Sequence, residues 1–269
     1  MSMKKFTALA LAAGSLFSAT APAQAMVTTF AEYSAVGTAA NLRWLNNGTS
    51  STNGTGGSLF SISSQTSTVI GSRTVDFSFL QASIAPFATN LAATFTFSAT
   101  APSGNPAQLL GSFLLQPGLA GSFSFLTQTG LTVGSNFFAA GSNLLSGTFG
   151  GGTIFGQRGG TSGGVSASTL GGSTISYSSD FLSFAPGSNL DFAISLTSIA
   201  SVLQATPTTG VPTRALRSFR AVSGGSFSAD PAPIVTAIPE PAVWGLMIVG
   251  FGMVGLQTRR RARNAAVAA

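Results

Sequence analysis

Between Arg73 and Ser228 apolar and polar residues alternate in short runs. In Thr74–Leu80, Val75, Phe77 and Phe79 fall on one parity and Thr74, Asp76 and Ser78 on the other. Leu91–Phe97 sets Phe95 and Phe97 on one face, and Gly121–Phe125 does the same with Phe123 and Phe125. Ser173–Tyr177 follows suit, as does Ser188–Leu196 with Leu190, Phe192, Ile194 and Leu196. Arg217–Val222 and Ser226–Ser228 are the last such runs. A period of two means strands with one buried face. Phe, Thr, Val and Ile suit that setting. Gly-, Asn-, Ser- and Pro-rich turns separate the runs at strand-plus-turn spacing. The pattern predicts an all-β body over 26–229, built as a single β-sandwich or jelly-roll-like domain. Thr28–Ala35 is compatible with a short helix.

The core follows from the aromatics. The chain holds 22 phenylalanines, mostly at alternating positions. Each one fully buried contributes roughly 1.5–3 kcal/mol by transfer from water. Trp44, in the alternating run Asn41–Asn46, is expected in the core as well. Two glycine-heavy stretches, 46–57 and 150–164, read as loops. Neither is a phosphate cradle, because the Lys-Ser/Thr of a P-loop and the strand–helix setting of a dinucleotide fingerprint are missing. Asn47-Gly-Thr and Asn53-Gly-Thr match a glycosylation pattern and read as turns. Residues 230–238 form a Pro-rich extended spacer.

The two ends depart from the alternation. Lys4 and Lys5, the apolar run Phe6–Phe17 and the small residues Ala23 and Ala25 around Gln24 have the order of a secretory signal peptide. Residues 1–25 are expected to be removed, leaving Met26 first. As an uncleaved anchor the apolar run is too short. At the other end Pro239, Glu240 and Pro241 precede an apolar segment, 242–257, and then Arg259, Arg260, Arg261 and Arg263. Proline fixes φ and removes a backbone donor, so this triplet leads into a helix rather than lying inside one. A helix of about 15–18 residues reaches roughly 23–27 Å, the short end for a bilayer core of about 30 Å. Trp244 suits the membrane–water interface, and the arginines form a basic stop on the cytoplasmic side. A buried core helix would carry polar residues on one face, and this segment is apolar all round. Its glycines at 245, 250, 252 and 255 lower helix propensity in water and are better tolerated in membranes. Residues 264–269 would remain cytoplasmic.

Charge narrows the function. The formal charge is +6, but Lys4, Lys5 and the four tail arginines offset by Glu240 account for five of it. Between 26 and 238, Arg43, Arg73, Arg158, Arg214, Arg217 and Arg220 face Glu32, Asp76, Asp180, Asp191 and Asp230, a net of +1. The body is therefore not a nucleic-acid binder, which would gather charge on the folded domain. Charged residues are 7% of the chain, against about 25% in ordinary soluble domains. Histidine and cysteine are absent. That removes disulfides, thiolate metal sites, a cysteine nucleophile and a histidine base. The mature chain also lacks lysine, so a serine hydrolase would have no base. What remains for catalysis is a carboxylate pair among Asp76, Asp180 and Asp191, as a glycosidase would use. They read better as solvated strand residues. A calcium site from Asp180, Asn189 and Asp191 lacks any clustered acidic loop. No cofactor is expected, and the sequence does not read as an enzyme.

The order Pro239-Glu240-Pro241, two residues, Trp244, a Gly-punctuated apolar segment and an arginine cluster resembles the PEP-CTERM sorting signal, in its variant with tryptophan after the motif. Gly245 stands where that variant usually has alanine, and a small residue is kept. The resemblance covers about the last 30 residues. It implies an exported protein held in the inner membrane by its tail, with the body in the periplasm. An exosortase-type membrane protease or transpeptidase would then process it, leaving it at the cell surface or outside. Proteins of this kind accompany exopolysaccharide and biofilm matrix. The expectation is a non-catalytic matrix protein. A carbohydrate-binding adhesin is the alternative, and a glycoside-active enzyme a weaker one.

Overall fold

The computed structural model describes residues 27–48, 54–207 and 214–236. Five strands come first: β1 (Thr28–Ala35), β2 (Leu42–Asn46), β3 (Gly57–Ser61), β4 (Arg73–Phe79) and β5 (Leu91–Ala101). Then follow β6 (Gln108–Leu110), β7 (Phe113–Thr127), β8 (Leu131–Val133), β9 (Asn136–Phe138) and β10 (Asn143–Gln157). The third group is β11 (Gly163–Ser168), β12 (Thr174–Ser178), β13 (Leu182–Ser183) and β14 (Asn189–Ala200). β15 (Ala205–Pro207), β16 (Arg214–Leu216), β17 (Phe219–Asp230) and β18 (Ile234–Val235) end the series. Among the described residues the one helical element is a 3₁₀ turn at Thr169–Gly171. The body is thus all-β, as the alternation predicts. The segment compatible with a short helix is β1 instead: Phe30, Ala31 and Tyr33 are buried while Glu32 and Ser34 face out.

Every pairing in the large sheet is antiparallel, and the pairings return to their start. β1 pairs β4, β4 pairs β5, and β5 pairs β7. β7 pairs β10, β10 pairs β11, and β11 pairs β14. β14 then pairs β17, and β17 pairs β1. Between β5 and β17 the wall is built twice. β4 and β1 fill the half where the described chain begins and ends; β3 and β2 fill the other. The section is sandwich-like. β7 and β17, opposite each other in the ring, bring the Phe123 and Phe227 ring centroids to 4.9 Å. Tyr33 from β1 reaches Phe95 on β5 and Phe125 on β7, each at 4.9 Å. These tilted contacts lie within the centroid range of roughly 4.5–7 Å that aromatic pairs favour. The alternation thus places most of the described phenylalanines inside and Ser, Thr and Gly outside, the reverse of a lipid-facing barrel.

Two polar side chains close the gaps where the wall changes partner. β5 leaves β4 after Phe95 and joins β3 at Ser98. The orphaned N–H of Phe97 donates to Ser61 Oγ at 2.9 Å. Likewise β17 leaves β2 after Ala221 and joins β1 at Gly225. There the Asn41 amide bridges Ser223: Ser223 N–H donates to Oδ1 at 2.7 Å, and Nδ2 donates to Ser223 O at 3.3 Å. Buried backbone groups need such partners. Trp44 is core, as expected, and its Nε1–H donates to Leu216 O at 3.2 Å.

The glycine-rich stretch 150–164 is not a loop. It is the second half of β10, a hairpin turn and the start of β11. Gly151, with φ 82, sits at the register shift between Phe149 and Gly152, where β10 bends. Pro231 and Pro233 of the expected 230–238 spacer belong to a segment held by the domain. Val235 pairs Leu182, Thr236 N–H donates to Phe181 O, and Gln81 Nε2 donates to Pro233 O at 2.6 Å. Residues 231–236 are extended, yet they are packed on the domain.

Candidate functional site

A hollow of about 640 Å³ lies on the outer face of the sheet. The strand register explains its lining. Phe155 on β10 pairs Gly164 on β11, Gly164 pairs Ser195 on β14, and Ser195 pairs Gly224 on β17. Gly224 lies beside Ser34 on β1, which pairs Asp76 on β4. The neighbouring row runs Ala193, Ser226, Glu32, Ser78 across β14, β17, β1 and β4. Small residues make the floor. Two features rise from it: Phe155 at one side, and the Glu32 and Asp76 carboxylates at the other.

The phenyl ring is held in place. A Cβ on Gly164 would come within 2.7 Å of Phe155 Cζ, so the ring lies over the bare glycine. An aromatic covering a cross-strand glycine is a known stabilising device in sheets. Here it also keeps an outward ring surface on a wall otherwise paved with hydroxyls. Asn90 lines the same hollow, with its backbone at φ 53 and its N–H donating to Ser78 Oγ at 2.9 Å. Chemically the hollow offers hydroxyl and carboxylate oxygens as acceptors, hydroxyls and an amide as donors, and one aromatic face. A hollow of this volume with a few convergent polar groups is a candidate small-molecule site.

Of the three aspartates considered for catalysis, Asp76 alone lines the hollow. Asp180 Oδ2 accepts the Asn143 N–H at 2.7 Å and so caps the start of β10. Asp191 pairs Ser168 and Ser228 in the ladder. Its carbonyl accepts the Tyr177 hydroxyl, and its carboxylate adds to the burial that pushes the Tyr177 pKa well up. Asn189, the third residue of the calcium set, pairs Asp230. Among the described residues no group of three or more His, Cys, Asp or Glu could hold a metal. Sequence reading missed Glu32 and Phe155. Glu32 lay in a segment compatible with helix, and Phe155 inside a stretch read as loop. A strand register is what brings them to one surface.

The arginines do not form one patch. Arg43 and Arg220 are cross-strand partners, and Arg73 starts β4. All three donate to backbone carbonyls of the 63–67 turn: Arg43 to Ser67 O at 2.8 Å, Arg73 to Ser63 O at 2.5 Å, and Arg220 to Gln65 O. Arg217 donates to Gln204 Oε1 at 2.9 Å.

The sorting-motif residues Pro239, Glu240, Pro241 and Trp244, the arginines 259 to 261 and 263, and the cleavage-site residues Ala23 and Ala25 lie outside the described residues. Within the described residues no helix is long and apolar enough to cross a membrane. By fold and surface the body is an antiparallel, phenylalanine-filled, hydroxyl-faced β domain. Comparison with family models, curated proteins and solved structures returned no match.

Proposed function

We propose that this is an exported, non-catalytic surface or matrix protein, anchored and sorted by its C-terminal segment as a substrate of an exosortase-type enzyme. The observation that carries the reading is the ordered tail: Pro239-Glu240-Pro241, Trp244, an apolar segment and an arginine stop. Two features of the body support it. The last described residue, Thr236, still bonds the domain through Phe181 O, so the tail follows a finished fold. The outer face is paved with hydroxyls and small residues and is poor in charge, which suits a crowded, hydrated matrix. In this reading the body enters the periplasm and the arginines stay in the cytoplasm. A stop codon before Pro239 should release the protein into the periplasm or medium. Unchanged membrane retention would contradict the sorting role.

The hollow favours a second reading, a carbohydrate-binding adhesin. Phe155 supplies a stacking face, and Glu32, Asp76 and the serines supply acceptors for sugar hydroxyls. Phe155→Ala should weaken retention on the producer's own exopolysaccharide by roughly two- to tenfold, since one aromatic contact is worth about 0.5–1.5 kcal/mol. Equal retention would remove this reading. A glycoside-active enzyme is the weakest proposal. Glu32→Gln and Asp76→Asn should abolish any turnover on a glycan panel, and a panel without turnover ends it.

A further inference from the structure

We infer that the end of the domain from which the tail emerges rests on the lipid surface, with Phe87, Phe137, Ile234 and Leu80 entering the headgroup layer of a zwitterionic bilayer. This rests on the tail reading above and goes further, because a tethered domain can hang free in water.

The geometry sets the distance. Thr236 is held against Phe181, and the apolar tail segment begins at Ala242. Those six steps span at most about 22 Å when fully extended, at roughly 3.6 Å per residue. The end carrying Thr236 therefore cannot leave the neighbourhood of the headgroups. Four segments build that end and pack on one another. Gln81 bonds Pro233, the Phe138 and Phe181 rings approach to 4.1 Å, and Phe79 meets Phe181 at 5.8 Å.

Four of the side chains turned outward there are apolar. In the β8–β9 hairpin, Leu131 and Phe138 form one cross-strand pair and Thr132 and Phe137 the next. The first pair packs against the core; the second faces out, leaving Phe137 72% exposed. Ile234, on the segment that leads to the tail, is 71% exposed. Phe87 and Leu80, from the turn after β4, are exposed too. Single exposed apolar residues are ordinary on a soluble surface. Two aromatic rings and two aliphatic chains on the segments around a tether point are a different matter. An apolar surface held in the interface lies about 5–10 Å into the headgroup boundary, as amphipathic helices show.

Charge selects the lipid. Asp180, Asp191 and Asp230 lie in this half of the molecule, beside Asn143, Ser168 and Asn189. Arg43 and Arg220 pair in the opposite half, and Arg158 is in the β10–β11 turn there. An anionic bilayer would repel this end, so the surface that fits is zwitterionic.

The absence of cysteine makes the test direct. Phe137→Cys and Phe87→Cys are each made in the full mature chain, with Phe113→Cys on the β6–β7 hairpin at the far end as the comparison site. Each is labelled with a polarity-sensitive fluorophore and reconstituted in phosphatidylcholine vesicles carrying a headgroup-depth nitroxide lipid. The expected result is a blue shift and at least twofold quenching at positions 137 and 87, with neither at 113. If the chain floats with the vesicles but positions 137 and 87 behave like 113, docking is wrong while the tether stands. A blue shift at 137 without nitroxide quenching would mean that protein covers this end, and also overturns the proposal. A chain that does not float overturns both the tether and the docking.

Discussion

Asn41 and Ser61 show how much a single buried polar side chain decides. Each sits where a long strand exchanges one neighbour for another, and each supplies the hydrogen bonds that the ladder lacks there. Asn41→Ala would leave the N–H and C=O of Ser223 without partners. It should destabilise the domain by about 2–6 kcal/mol, at about 1–3 kcal/mol for each of the two unsatisfied groups. Ser61→Ala should lose about 1–3 kcal/mol on the same basis. Urea unfolding of the chain truncated before Pro239 measures both. Tyr33 and Tyr177 give a pH prediction. Burial raises both pKa values, most of all because the phenolate would lose its water, and the Ser223 hydroxyl only partly offsets this for Tyr33. A folded pKa above the unfolded value means that their stabilisation is complete below about pH 10 and is lost as pH rises beyond it. Tyrosinate absorbance should therefore appear together with unfolding. A separate, earlier rise from the native state would contradict it. None of these polar roles was legible in the sequence, where Asn41 and Ser61 look like any turn or strand residue. The phenylalanines were legible, because alternation alone tells inside from outside.

At the level of elements, periodicity found the strands that carry large side chains and missed the ones made of small ones. β4, β5, β7, β14 and β17 announce themselves through Phe, Val, Ile and Leu. The end of β10 and the start of β11 are mostly glycine, and their pairing is set by neighbours rather than by their own residues. Tertiary context overrode local preference there. β1 looked ambiguous because its buried Phe30 and Ala31 are adjacent, a consequence of the register shift between Thr29 and Ala31. The hollow inherits both failures, since it is built from β1 and the glycine-rich hairpin. Glycine also allows close strand approach. A Cβ on Gly121 would collide with Ser98 O and Ala99 Cα on β5. Gly121→Ala should therefore loosen the β5–β7 ladder and destabilise by about 1–3 kcal/mol, the usual effect of overpacking. Thermal unfolding checks it, and an unchanged midpoint would mean that β5 and β7 are not paired as described.

The molecule as a whole is a ring of strands with two unlike ends. Its closure could not be read from the sequence, because β1 and β17 meet across some 190 residues and no local pattern encodes such a pairing. Carboxylates gather in the half where the described chain begins and ends, and arginines clamp turns in the other. Pairing of Thr28 with Ala229 and docking of Thr236 put both described chain ends on one side. A domain hung from a membrane by its C-terminal segment needs that segment to leave from one face, with the remaining surface free. The proposed sorting role depends on the tail being inserted, read and removed. The intact mass of the mature protein recovered from its own host tests that most directly. The expected result is a chain that starts at Met26 and has lost its C-terminal arginines when the processing enzyme is present, and a longer membrane-bound chain when its gene is deleted. A soluble protein that keeps its C-terminal arginines in both strains would contradict it.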